Sequence, residues 1–253
     1  AMGIEYDRFI RTTEEAHVRG VEKMLERLHG ATGPDGQPVV YESEYRGLYC
    51  TGCEKFLSGR ELVDGSCPEH PALQPRELKE RNYFFRLSAF LPRLQELIKN
   101  DEILIRPERR KREVLGLFAQ GLDDFSISRE KVTWGIRLPF DRAQTAYVWV
   151  DALSNYITAI GYGDDPDQFA YWWRDGKVLH LMAKDILKFH TIYWPAMLLA
   201  VGEKTPDEMF IHGYLTLVDR KMSKSLGNVI EPDAWVKDFG VDGARYLLMT
   251  LFR

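Results

Sequence analysis

Lys221-Met222-Ser223-Lys224-Ser225, followed at once by Leu226-Gly227-Asn228, places two ammonium groups and two hydroxyls within five residues. That combination suits a loop that grips a polyphosphate. The lysines can offset charge building on a departing pyrophosphate, while the serines and backbone amides donate hydrogen bonds to its oxygens. A solvated basic turn has the same composition, so the chemistry elsewhere in the chain has to decide between the two.

All three cysteines fall in one cluster with a histidine: Cys50-x-x-Cys53, then Cys67-x-x-His70. Two such pairs, closed on each other after a short excursion, match a tetrahedral Zn²⁺ site of the Cys₃His type. Gly52 and Pro68 stand inside the two turns, where the chain must bend tightly. Four protein ligands leave no open position for water, so the expected role of the metal is structural. It would fold a small insertion that has too few apolar residues to hold itself together.

Two further segments carry site-like residues. One is Tyr147-Val148-Trp149-Val150-Asp151-Ala152-Leu153-Ser154-Asn155-Tyr156; the other runs from His180 through Lys184-Asp185-Ile186 to His190, Tyr193 and Trp194. Most of these side chains fit a strand that feeds a helix and packs aromatics into a core. Lys184-Asp185 at a strand's C-terminal end is different, because open parallel sheets bind ligands beyond those ends. His190, by its own position, reads as a core or capping histidine.

The elements that would position these groups follow from periodicity and turn signals. Residues 12–30 predict a capped amphipathic helix, with Val18, Val21, Met24, Leu25 and Leu28 at helical spacing. Short strand-like pieces at 39–41 and 47–49 bracket the cysteine cluster, and a largely helical stretch is expected to begin at 82–87 and run to about residue 121. From Asp123 onward, apolar runs at 146–150, 178–182 and 209–211 alternate with helical segments at 152–160 and 186–201. This alternation predicts a parallel α/β sheet. Residues 231–253 read as helix–turn–helix about Gly240.

Bulk composition adds limits. The 253 residues carry a net charge of −4, so an RNA contact would have to rest on local basic surface such as Arg106, Arg109, Arg110, Lys111 and Arg112, a run that equally suits a solvated face. No apolar stretch reaches the roughly 18 residues of a membrane helix. No signal-peptide pattern opens the chain, and a cytoplasmic setting with reduced cysteines is the expectation.

Taken together, these motifs resemble the methionyl-tRNA synthetase family of class I aminoacyl-tRNA synthetases. The matching stretches are Phe9-Ile10-Arg11-Thr12-Thr13-Glu14, Gly47-Leu48-Tyr49-Cys50, Tyr83-Phe84-Phe85-Arg86-Leu87, Asp124-Phe125-Ser126-Ile127-Ser128-Arg129, Trp134-Gly135-Ile136, Tyr147 to Leu153, Lys184-Asp185-Ile186 and the lysine loop. The resemblance implies an α/β fold: the second half of a Rossmann-type parallel sheet with a zinc-knuckle insertion. It divides the chain into a helix from the end of the first catalytic half (1–30), the insertion with its helical return (31–122), the second catalytic half (123–218), and the lysine loop with the start of a stem-contact helical region (219–253).

The resemblance further implies ATP, accompanied by Mg²⁺, together with L-methionine and tRNA(Met) as substrates. Methionine would lie against Trp149, Ala152, Tyr156, Ile186 and His190, with the Tyr156 hydroxyl donated to the thioether sulfur. Arg129 would order the amino-acid site, and Phe125 and Tyr193 would rearrange as methionine enters. ATP would meet Lys184, Asp185, His212, Gly213, Met222, Ser223, Lys224 and Ser225, with Lys221 and Lys224 acting on the departing pyrophosphate.

Two departures qualify that picture. The family's His-x-Gly-His signature has no counterpart before the cysteine cluster, where His17 and His29 lack the glycine spacing. The isolated chain is therefore expected to be weakly active or inactive. Ala183 stands where the family has glycine before Lys-Asp, which bears on close approach of adenosine. A synthetase for leucine or valine would need an editing insertion that this length does not hold, and one for cysteine would need zinc ligands spread through the catalytic fold. A non-catalytic, zinc-stabilised tRNA- or partner-binding module remains the competing class.

Overall fold

The computed structural model describes residues 2–52, 55–57, 62–68, 70–217, 220–222 and 229–251. Helix α1 (Glu15–Gly30) buries His17, Gly20, Val21, Met24, Leu25 and Leu28 along one face, as the spacing predicts. A long strand β1 (Val40–Cys50) then pairs antiparallel with β2 (Lys55–Leu57) and with β3 (Arg76–Phe85), in register from Val40↔Phe85 to Tyr49↔Arg76.

Two expectations are corrected here. The pieces at 39–41 and 47–49 belong to one strand, and residues 82–85 end a strand rather than begin a helix. The period-two signal of β3 is hidden because its inward positions include Glu80 and Asn82. Those two satisfy each other: Asn82 Nδ2 donates to Glu80 Oε2 at 3.1 Å, and Asn82 Oδ1 accepts from the Glu130 amide at 3.2 Å.

The chain continues through α2 (Leu91–Lys99), β4 (Leu104–Arg106), α3 (Glu108–Gln120) and three two-residue strands: β5 (Phe125–Ser126), β6 (Ser128–Arg129) and β7 (Thr145–Ala146). Helix α4 (Val148–Thr158) follows directly. The expected strand at 146–150 is thus corrected, since only its first residue is extended within a strand. Tyr147 is the last extended residue, its amide bonding Ile127 O, and its carbonyl accepts from Val150 and Asp151 to start the helix. Packing overrides the β-propensity of Val-Trp-Val because α4 crosses α1 closely: a Cβ on Gly20 would strike the Thr158 methyl and lie 2.7 Å from the Tyr162 carbonyl.

A short helix α5 (Pro166–Phe169) and a π turn (Ala170–Asp175) lead into β8 (Leu179–Ala183). A 3₁₀ turn (Lys184–Ile186), a second π turn (Phe189–Tyr193) and α6 (Trp194–Ala200) return to β9 (Glu208–His212). The hairpin β10 (Thr216–Leu217) and β11 (Arg220–Lys221) precedes α7 (Pro232–Leu251), which breaks at Gly240 (φ +70°) as expected.

Strands β4, β9 and β8 form a three-stranded sheet in that order, parallel throughout. One face buries Ile105, His180, Met182, Met209 and Ile211, whereas Leu179, Leu181 and Phe210 are exposed on the other. One large hydrophobic core runs from Val21 to Ile211, and a satellite of Cys50, Leu57 and Cys67 backed by Leu62 lies beside it. Among the described residues no helix is long and apolar enough to cross a membrane.

Candidate functional site

Helix α4 and the turns after β8 bring most of the aromatic candidates together. Trp149, Ala152 and Tyr156 share one face of α4 by their three- and four-residue spacing. The Trp149 ring stacks on Phe189 with centroids 3.8 Å apart and planes 10° from parallel, and His190 meets Trp149 edge-on at 6.3 Å. His190 Nδ1 donates to the Ile186 carbonyl at 3.0 Å, which leaves Nε2 as the acceptor for the Tyr156 hydroxyl at 2.8 Å. Nearby, Phe125 stacks on Tyr193 at 3.9 Å.

The electrostatics of this cluster follow from its dryness. Burial pushes the Tyr156 phenol up and the His190 imidazole down, the latter against its bond to the Ile186 carbonyl. Both groups are thereby held neutral, and the cluster holds one hydroxyl and one imidazole edge among apolar and aromatic side chains. Such a surface suits an uncharged, slightly polar side chain.

Arg129 lines an opening together with Tyr49, Trp134, Tyr147, Val148 and Asp151. Its Nη1 donates to Ser126 Oγ (2.9 Å) and Ser128 O (2.7 Å), and its guanidinium carbon lies 3.9 Å from the Tyr147 ring centroid.

The nucleotide candidates gather at the C-terminal ends of β8 and β9, where Ala183 pairs with His212. Lys184 and Asp185 therefore leave the sheet beside His212 and Gly213. Lys184 Nζ lies 4.4 Å from the Tyr214 ring centroid, and His212 Nδ1 donates to Gly213 O at 2.7 Å. Ala183 has extended backbone (φ −81°, ψ 157°), so its conformation does not demand glycine. The lysine loop springs from the β10–β11 hairpin: the Met222 amide donates to Leu215 O at 2.8 Å. Ser223, Lys224 and Ser225 lie outside the described residues, as does the side chain of Lys221.

In the knuckle, the ligand atoms of Cys50, Cys67 and His70 all lie within 4.8 Å of one another, and Cys53 falls outside the described residues. The surroundings fit a metal. A Cβ on Gly52 would sit 2.5 Å from the His70 ring, so glycine lets the turn close over that ligand. The basic run is largely engaged within the chain: Arg106 pairs with Glu208, Arg110 with Glu113 and Lys111 with Asp101.

Sequence reasoning assigned no role to three residues that the structure brings into these contacts. His17 is fully buried and joins α1 to α4, its Nε2 donating to Asp151 Oδ1 at 2.7 Å and its Nδ1 pairing with Thr158 Oγ1 at 2.8 Å. Its place on the apolar stripe with Val21 and Met24 was the available signal. Phe189 and His180 are the others; the latter's inward register on β8 marks it.

The chain matches known proteins over nearly its whole length. The family model for class I tRNA synthetases (M) matches residues 1–78 and 72–252. Methionine--tRNA ligase of Clostridium acetobutylicum is 46% identical over 252 residues, covering 98% of this chain and 37% of that protein. The Nostoc enzyme of the same name is 42% identical, covering 98% and 46%. The crystal structure of Mycobacterium tuberculosis methionyl-tRNA synthetase bound by methionyl-adenylate superposes with a TM-score of 0.85 at 39% identity, covering 98% of this chain and 48% of that one. The chain thus spans less than half the length of these relatives. Its α/β content and parallel sheet are those of the class I synthetase fold, and the chain belongs to the class I tRNA synthetase family (M), alongside the methionine--tRNA ligases it matches.

Proposed function

We propose that this chain carries the amino-acid half of a methionine–tRNA ligase site. The observation that carries the reading is the Trp149/Tyr156/His190 cluster packed beside β8, in a chain whose matched relatives are methionine--tRNA ligases. L-Methionine lies with its thioether against Trp149, Ala152, Tyr156, Ile186 and His190, and Arg129 helps to order the site. The carboxylate attacks the α-phosphate of ATP, giving methionyl-adenylate and pyrophosphate; the terminal ribose hydroxyl of tRNA(Met) then attacks the acyl carbon. Neither step needs a protein nucleophile, so positioning and charge stabilisation supply the rate. Lys184, Asp185, His212, Gly213, Met222, Ser223 and Ser225 hold the nucleotide, whose Mg²⁺ enters with it. Lys221 and Lys224 meet the pyrophosphate.

Cys50, Cys53, Cys67 and His70 would hold Zn²⁺, which would pin the satellite core that among the described residues has only Leu57 and Leu62 beyond its own cysteines. Chelation is expected to open residues 50–70 to protease while the main core keeps its cooperative unfolding; equal loss of both would contradict a local structural role.

The exposed Leu179, Leu181 and Phe210 support weak activity of the chain by itself, because parallel sheets are ordinarily covered on both faces. The same bare face supports the second reading, a non-catalytic tRNA- or partner-binding module. ATP–pyrophosphate exchange tests both. Exchange that is slow and supported by methionine alone is the expected result. Full turnover by this chain sinks the weak-activity reading, exchange driven by another amino acid sinks the methionine assignment, and none at all favours the module. The setting proposed for this chemistry is the cytoplasm.

A further inference from the structure

One side chain behind the pocket has no part in the roles assigned above. His180 leaves β8 on its buried face, with its ring centroid 4.1 Å from that of Tyr156 and the planes inclined by 59°. Trp173 lies 6.1 Å from His180, Trp194 lies 6.4 Å from Tyr156, and His190 closes the front at 6.2 Å from His180. These rings surround that of Tyr156, whose hydroxyl keeps its rotation about the C–O bond.

Among the described residues, His180 Nε2 has no hydrogen-bond partner although it is buried. An unpaired buried polar atom is destabilising, because it has lost its water without gaining a partner. Burial, and then the neighbouring His190, push the imidazole down to about 3, so protonation does not relieve the cost. Leucine or phenylalanine would fill a core position on β8 without it. A local rule broken beside a site, with no structural gain, points to a functional demand.

We infer that His180 is a positioning residue for thioether recognition: it fixes the Tyr156 ring so that the hydroxyl can turn from His190 Nε2 to a sulfur acceptor. A bulkier benzene ring would push Tyr156 forward, and an aliphatic side chain would let it drop back. The inference rests on the methionine reading of this pocket.

Calorimetric titration of the intact chain with L-methionine and with L-norleucine, which carries a methylene in place of the sulfur, tests it. The unaltered chain prefers methionine. In His180→Phe and His180→Leu that preference falls roughly tenfold, norleucine affinity hardly changes, and the denaturant midpoint is unchanged or higher. Tyr156→Phe abolishes the preference, and adding His180→Leu to it changes nothing further, because the effect runs through Tyr156. Undiminished preference in both His180 variants overturns the inference. So does a loss that affects both ligands equally and tracks lower stability, or failure of both variants to fold. An unaltered chain that binds neither ligand, or shows no preference, overturns the pocket reading instead, and the two failures are distinct.

Discussion

Trp149→Ala is expected to weaken L-methionine binding by roughly a hundredfold while leaving the denaturant midpoint close to its original value. Trp149 is one wall of the proposed site, stacked on Phe189 at 3.8 Å and met edge-on by His190. It is only partly buried in the folded chain, so its truncation opens the site more than it hollows the core. A large aromatic that anchors a ligand is worth 2 kcal/mol or more on truncation, and about 2.7 kcal/mol corresponds to a hundredfold. Isothermal titration with methionine, paired with urea unfolding of the same variant, reads both quantities. Parallel loss of affinity and stability would make Trp149 a core residue instead.

Glu203→Ala should cost about 1–3 kcal/mol of stability with no direct contact to the proposed site. The Glu203 side chain is 1% exposed and pairs with Arg27 Nη1 at 2.5 Å and Arg174 Nη2 at 3.0 Å. Arg27 also donates to the Tyr162 hydroxyl and, through Nη2, to the Val201 carbonyl. The cluster ties α1 to the ends of the π turn and α6. Glu203 is the buried member, and its removal takes away the charged hydrogen bonds that join the three elements, whereas the partly exposed guanidiniums can rehydrate.

The same residue sets a pH dependence. Burial alone would raise the Glu203 carboxyl, but Arg174 and Arg27 outweigh it and hold the carboxyl below its usual range. A depressed folded value means that the carboxylate stabilises the fold above the unfolded carboxyl's pKa, and the contribution is lost as pH falls through the folded value. Thermal unfolding between about pH 7 and about pH 3 should therefore show a steeper acid loss for the unaltered chain than for Glu203→Gln. Equal slopes would remove Glu203 from the account.

How much was legible in the sequence depended on whether chemistry or packing chose each residue. The cysteine pairs, Lys184-Asp185 and the lysine loop are sets of chemically reactive or charged residues whose types and intervals stand out in the chain. The parallel sheet was legible too, because β8 and β9 are short apolar runs between helices. By contrast, β3 was read as the start of a helix, since its inward Glu80 and Asn82 are polar and leave no apolar alternation for periodicity to register. The 146–150 run looked like a strand because Val-Trp-Val favours one locally, whereas contact with Gly20 and His17 of α1 requires a helix. His17, Phe189 and His180 were assigned no role for a related reason: each works through a partner remote in sequence or on another element.

L-Methionine binding by this chain, measured calorimetrically beside Tyr156→Phe, tests the central claim most directly. A dissociation constant on the order of micromolar is predicted, weakened in the variant, because the Tyr156 hydroxyl shared with His190 is the polar group offered to the sulfur. A folded chain that takes up no methionine at millimolar concentration, yet still binds RNA, would contradict it.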